Sequence, residues 1–153
     1  LLDCGEDKPD SDIEYGGLSD YDAYRREEAE WLREAVASEA FRNASARVVF
    51  LHIPPVGGTW HGNYQLREVF LPILNEAGID VMFSGHTHQY GFHPADNDIR
   101  FPVVVNDNQS YVQCDMTADR IAVRIVGPGG RVAHTHEFPL RRPGQANEIG
   151  LIL

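Results

Sequence analysis

Residues 79–94 read "IDVMFSGHTHQYGFHP". An apolar run stops at Ser84-Gly85, and His86, His88 and His93 follow at once. The run is apolar at consecutive rather than alternate positions, the pattern of a parallel strand buried on both faces. Upstream, "ARVVFLH" (46–52) is a stretch of the same kind, and Ile53-Pro54-Pro55 ends it at His52, because a doubled proline cannot continue a ladder. Between the two, "NYQLREVFLPILNEAG" places Leu66, Val69, Phe70, Ile73, Leu74 and Ala77 at helical spacing. Pro72 inside this pattern predicts a kink or two consecutive short helices, and Gly78 fits the position just past a helix end. Strand, helix, strand with buried strands predicts a parallel β-α-β unit.

Outward from this unit the chain changes character on both sides. "GEDKPDSDIEYGG" (5–17) is acidic and punctuated by Pro9 and a glycine pair, so it reads as an exposed loop. In "LSDYDAYRREEAEWLREAVASEAF" (18–41), Tyr21, Tyr24, Trp31, Leu32, Ala35 and Val36 share a helical face, and Ser19 and Asp22 have capping-box spacing. After Pro94, "FPVVVND", "SYVQCDMT", "RIAVRIVG" and "RVAHTHEF" are short strands separated by turn residues, which predicts an antiparallel meander. The tail "RRPGQANEIGLIL" reads either as loose chain or as a final short strand. The expected fold class is α/β: a β-α-β unit followed by a meander.

Composition narrows the partners. With 153 residues the chain supports one domain. A net charge of -10 argues against nucleic acid, whose affinity rests on Lys and Arg neutralising phosphates. No apolar run approaches the length needed to cross a bilayer, so no membrane partner is expected. Cys4 and Cys114 are no disulfide framework; they read as two buried thiols or one bridge. Leu1-Leu2 reads as the tail of a strand already under way, with no signal peptide ahead of it.

The histidines carry the chemistry. His52 ends one strand and His86 and His88 follow the next, and in parallel sheets ligands collect past the carboxyl ends of the strands. In an extended segment residues i and i+2 point the same way, roughly 6.5 Å apart. Two such imidazoles can share one ion, or each can take one ion of a pair about 3.5–4 Å apart. Gly85 is expected to free the backbone to turn where a side chain would collide. His61, in "GGTWHGN", is a candidate to touch a substrate or protonate a leaving group, with Trp60 at the mouth. The second pair, His134 and His136, reads as an exposed strand face, and His93 as a loop residue.

"VVFLH", with Val49 and His52, and "GHTH", with Gly85, His86 and His88, resemble the Val-x-x-His and Gly-His-x-His motifs of the calcineurin-like metallophosphoesterases. "LLDCG", "EAEWLREAV" and Tyr90, two residues after His88, resemble the purple acid phosphatase-like branch. The resemblance spans about Leu1 to Pro139. It implies that the chain, 1–153, is the C-terminal portion of a catalytic domain, and that two divalent or trivalent ions (Fe, Zn or Mn) sit in the complete protein. His52 and His86 would hold one ion and His88 the other, with Tyr90 near the mouth. A metal-bound hydroxide would attack a phosphoester in line.

The family's bridging Asp and its Asn ligand lie upstream of the strand matched by "LLDCG". The acidic loop from Glu6 to Asp12 lies at the wrong place in the family order and is not taken as a substitute. The chain alone is therefore expected to hold little or no metal and to be weakly active or inactive. Phosphorylated small molecules are the expected substrates. A sheet face left bare by the missing half would favour a homodimer. Location is open, the resemblance leaning toward secreted or periplasmic. Two other readings are a non-catalytic binding or interaction domain on the same fold and a cupin-like mononuclear metal protein.

Overall fold

The structure, a computed structural model, describes residues 1–141. The reading of the tail therefore lies outside the described residues. After a turn of 3-10 helix at Ile13–Tyr15 come α1 (Tyr21–Ala37), α2 (Glu39–Asn43), β1 (Val48–Phe50), α3 (His61–Val69), α4 (Leu71–Ala77) and β2 (Val81–Ser84). Then follow β3 (Gly91–His93), β4 (Val103–Val105), β5 (Tyr111–Met116), β6 (Arg120–Val126) and β7 (Val132–Pro139). One sheet has the order β1-β2-β4-β3 and the other β5-β6-β7. The fold is mixed α/β, with a β-α-β unit as expected: β1 and β2 are parallel, joined through α3 and α4.

Helices cover one face of the four-stranded sheet, through Leu32, Leu66, Phe70 and Leu74 packed on Val49, Leu51, Met82, Val103 and Val105. The three-stranded sheet covers the other, through Ile121, Val123, Ile125 and Phe138 on Val81, Phe83 and Val104. Among the described residues both faces of the four-stranded sheet are thus covered, so the bare face expected to favour a homodimer is not on this sheet. What stays open is an edge, where Leu2 bridges Leu51 in parallel and Phe50 is 43% exposed.

Four local readings change. "FPVVVND" does not open the meander. Its Val103, Val104 and Val105 are all buried and run parallel to β2, as three consecutive valines should in a sheet covered on both sides. His93 is not in a loop but on β3, the antiparallel edge strand beside them. The capping box at Ser19 does not form; the Asp10 carboxylate accepts from Tyr21 N at 2.7 Å and Asp22 N at 3.1 Å, capping α1 from a distant loop. The buried stripe of α1 is Arg25, Ala29 and Leu32, with a charged residue at its N-terminal end, while Tyr24 and Trp31 are exposed.

Pro72 does divide the helical stretch into α3 and α4, and Gly78 ends it at φ 67°. Cys4 is buried and Cys114 exposed, and both are free thiols. Cys4 Sγ accepts from Ile53 N at 3.3 Å, and burial pushes its thiol up from the usual range.

Candidate functional site

His52 and His86 meet at the carboxyl ends of β1 and β2. The ladder between the strands runs on past Phe50, with Gly85 N donating to His52 O at 3.0 Å. Continuing the ladder by two residues brings the rings edge to face, 5.3 Å between centroids and 87° between planes. Gly85 itself is not the pivot. A Cβ there would stand 3.5 Å from His52 Nδ1, an ordinary contact. The sharp turn is made by the histidines, His86 at φ 68° and His88 at φ 57°, both left-handed.

That turn separates the pair. The same-side rule for i and i+2 holds inside a strand, and β2 has ended at Ser84. His88 is exposed and no hydrogen bond to its imidazole is found among the described residues, whereas His86 is partly buried. The structure thus brings His52 to His86 and leaves His88 outside this contact.

A residue of the acidic loop joins them. Asp7 Oδ2 lies 3.0 Å from His86 Nε2, with side-chain exposures of 17% and 26%. The loop is therefore not wholly solvated, because α1 and α3 hold it. Arg25, fully buried on α1, donates through Nε to Cys4 O at 2.8 Å, through Nη1 to Gln65 Oε1 at 2.6 Å, and through Nη2 to Glu6 O. Gly62 N donates to Asp7 O at 2.8 Å. A Cβ on residue 62 would stand only 2.8 Å from Asp7 Cα, so the close approach of α3 to the loop requires glycine. The signal that could have found Asp7 is Arg25 itself: an arginine in a buried stripe needs oxygen partners from outside its helix.

His61 opens α3 rather than sitting in a loop, and its Nε2 lies 2.7 Å from Asp22 Oδ1. The same carboxylate oxygen is 3.3 Å from Arg25 Nη1, so one guanidinium braces both histidine–carboxylate contacts. Trp60 is 56% exposed just ahead of α3, its N–H donating to Asn63 Oδ1 at 3.2 Å.

Tyr90 is taken up elsewhere. Its ring stacks on His134 with centroids 3.7 Å apart, and its hydroxyl meets His136 Nε2 at 2.5 Å. His136 also stacks on Phe92 at 4.2 Å. The second His-x-His pair is thus not a plain exposed face: it shares the inward row of β7 with buried Phe138 and ties that strand to the segment of Tyr90 and Phe92. Burial, and then the neighbouring His134, hold the His136 imidazole below its ordinary value, and burial raises the Tyr90 phenol.

The donors present can be weighed as a metal centre. Two imidazoles beside a carboxylate are suitable ligand types. Yet among the described residues no three His, Cys, Asp or Glu side chains form a group that could hold an ion. A two-ion centre also needs a bridging anion and more negative ligand than this. The donors present do not fit such a centre by themselves. Helices packed on a parallel sheet also set aside the all-β cupin reading.

A family profile described as "Calcineurin-like phosphoesterase" matches residues 2–90, more than half of the chain. No curated protein matches. Among solved structures the chain is similar to one described as "GAP50 the anchor in the inner membrane complex of Plasmodium", at a TM-score of 0.60 and 16% identity. The superposition covers 76% of this chain and 43% of that one. At that identity the likeness concerns the fold alone.

Proposed function

The chain belongs to the calcineurin-like phosphoesterase family, and from that premise we propose that it carries one side of a metal-dependent phosphoester hydrolase site. Membership supports a metallophosphoesterase type of function, in a family that usually binds two metal ions. The observation that carries the proposal is the convergence of His52 and His86 at the ends of adjacent parallel strands, with Asp7 against His86. In this reading His52 and His86 hold one ion, His88 faces a second, and the bridging Asp and the Asn ligand come from another segment of the complete protein. The chain is then the C-terminal portion of a domain of the purple acid phosphatase-like branch.

The ions, when bound, supply a hydroxide nucleophile and neutralise phosphoryl charge. In this reading His61, held by Asp22, touches the substrate or protonates its leaving group, and exposed Trp60 flanks the approach. Tyr90 has no part at the mouth, since its ring and hydroxyl are engaged by His134 and His136. The substrate class is a phosphorylated small molecule. In this reading self-association uses the sheet edge at exposed Phe50.

A second reading is that the fold serves binding without hydrolysis. One observation favours it: among the described residues no three-donor group forms. Metal content and hydrolysis of a generic aryl phosphate separate the readings. The chain alone is expected to hold less than one ion per molecule and to turn over poorly. Two tightly held ions with robust turnover in this chain would refute the divided site. A longer chain that carries the missing ligands and stays inactive with Fe, Zn and Mn supplied would favour the binding role.

A further inference from the structure

We propose that Asp7 is the positioning residue of His86, holding the imidazole as the Nε2–H tautomer in one fixed orientation. An ionised carboxylate only accepts hydrogen bonds, so the 3.0 Å contact to Asp7 Oδ2 places the proton on Nε2. Nδ1 is then the nitrogen with the free lone pair. Second partners of this kind fix both the tautomer and the ring orientation of ligating histidines. The functional meaning rests on the reading of His86 given above; the contact itself does not.

The contact belongs to a built arrangement. A solvated acidic loop needs no internal support, yet two helices, α1 and α3, hold this one. Arg25 reaches from α1 with its guanidinium fully buried and takes the carbonyls of Cys4 and Glu6, on the Asp7 side of the loop. Gln65 on α3 accepts from the same guanidinium. Gly62 N takes the carbonyl of Asp7, at an approach that admits no Cβ. The next cation along the loop, Lys8, pairs with Glu14 and so does not compete for Asp7. His86 also stands at φ 68°, a left-handed conformation that a non-glycine residue keeps only where its surroundings fix it. The carboxylate on its ring is one such constraint.

Imidazole 15N spectra of the metal-free chain test this. His86 is expected to carry a protected Nε2 proton. In Asp7→Ala that proton should exchange with water at least about tenfold faster, as for the loss of a hydrogen bond to a charged group. Asp7→Asn, which keeps an accepting oxygen, should recover part of the protection. The signals of Tyr90 and His136, remote from the loop, report whether each variant is folded. A proton on Nδ1 in the parent chain, or unchanged exchange in a folded Asp7→Ala, overturns the proposal.

Zinc ion alone, added to the same sample, separates this proposal from the metal reading. A shift confined to Nδ1 supports both. Displacement of the Nε2 proton means that Asp7 and His86 share the ion, which overturns the positioning role. If neither nitrogen responds, the chain alone holds no ion, as the divided site expects, and the assignment of Asp7, read without metal, stands.

Discussion

His86-Thr87-His88 and His134-Thr135-His136 are the same tripeptide, yet they do opposite things. The first follows the end of β2 with both histidines left-handed. His86 meets His52 and Asp7 while His88 faces solvent. The second lies within β7, where extended backbone does put i and i+2 on one side, and both rings stack on aromatic partners. Backbone conformation, rather than the motif, decides whether two imidazoles act together. The pair that obeys the extended rule is the one that packs, and the pair suited to ligand chemistry breaks it.

The largest expected effect on this contrast comes from Arg25. Arg25→Met leaves the Cys4 and Glu6 carbonyls and Gln65 without their buried donor, and should cost about 3 kcal/mol in urea unfolding. It should also release the protected His86 proton while the Tyr90–His136 contact persists. If both pairs respond alike, the two regions are not independent.

Gly62→Ala comes next. The added methyl must push α3 off the Asp7 backbone, at about 1–3 kcal/mol, with loss of the His86 signature. An unchanged melt and spectrum would show that the close approach is not required.

His136→Phe acts on the other pair and is smaller. It keeps an aromatic ring on Phe92 but leaves the Tyr90 hydroxyl without its nitrogen, about 1 kcal/mol at neutral pH. The clearer signature is pH dependence. The folded imidazole of His136 is held below its unfolded value, so neutral His136 contributes fully above the ordinary histidine range. That stability is lost as pH falls from there through the lower folded value. Thermal melts of His136→Phe should lack this part of the acid slope, and an identical slope in both chains would refute the assignment. His88→Asn is the smallest change: asparagine tolerates φ 57° better, so a gain of about 0.5 kcal/mol is expected, without effect on the His86 proton.

Much of this is legible in the chain. Consecutive apolar residues before His52 and Ser84 specify parallel strands, and strand ends specify where His52 and His86 meet. Three buried valines at 103–105 carry the same signal, but the turn-rich sequence around them favours a meander and masks it. The Asp7–His86 contact links residues 79 positions apart, and no local period encodes it. Its trace is a charged residue in an apolar stripe, and apolar periodicity passes over that kind of residue. The distant cap from Asp10 is hidden for the same reason, since a nearer Ser19 offers a local alternative.

The two left-handed histidines have a consequence for selection. Glycine or asparagine would relax the backbone at either position, so a laboratory evolution experiment rewarding heat tolerance alone should replace them early. One that also rewarded ligand capture or turnover should keep His86 and any histidine that works beside it. The order in which positions 86 and 88 are lost under the first regime and kept under the second would measure what each imidazole contributes to the living protein, without any assay of the isolated site.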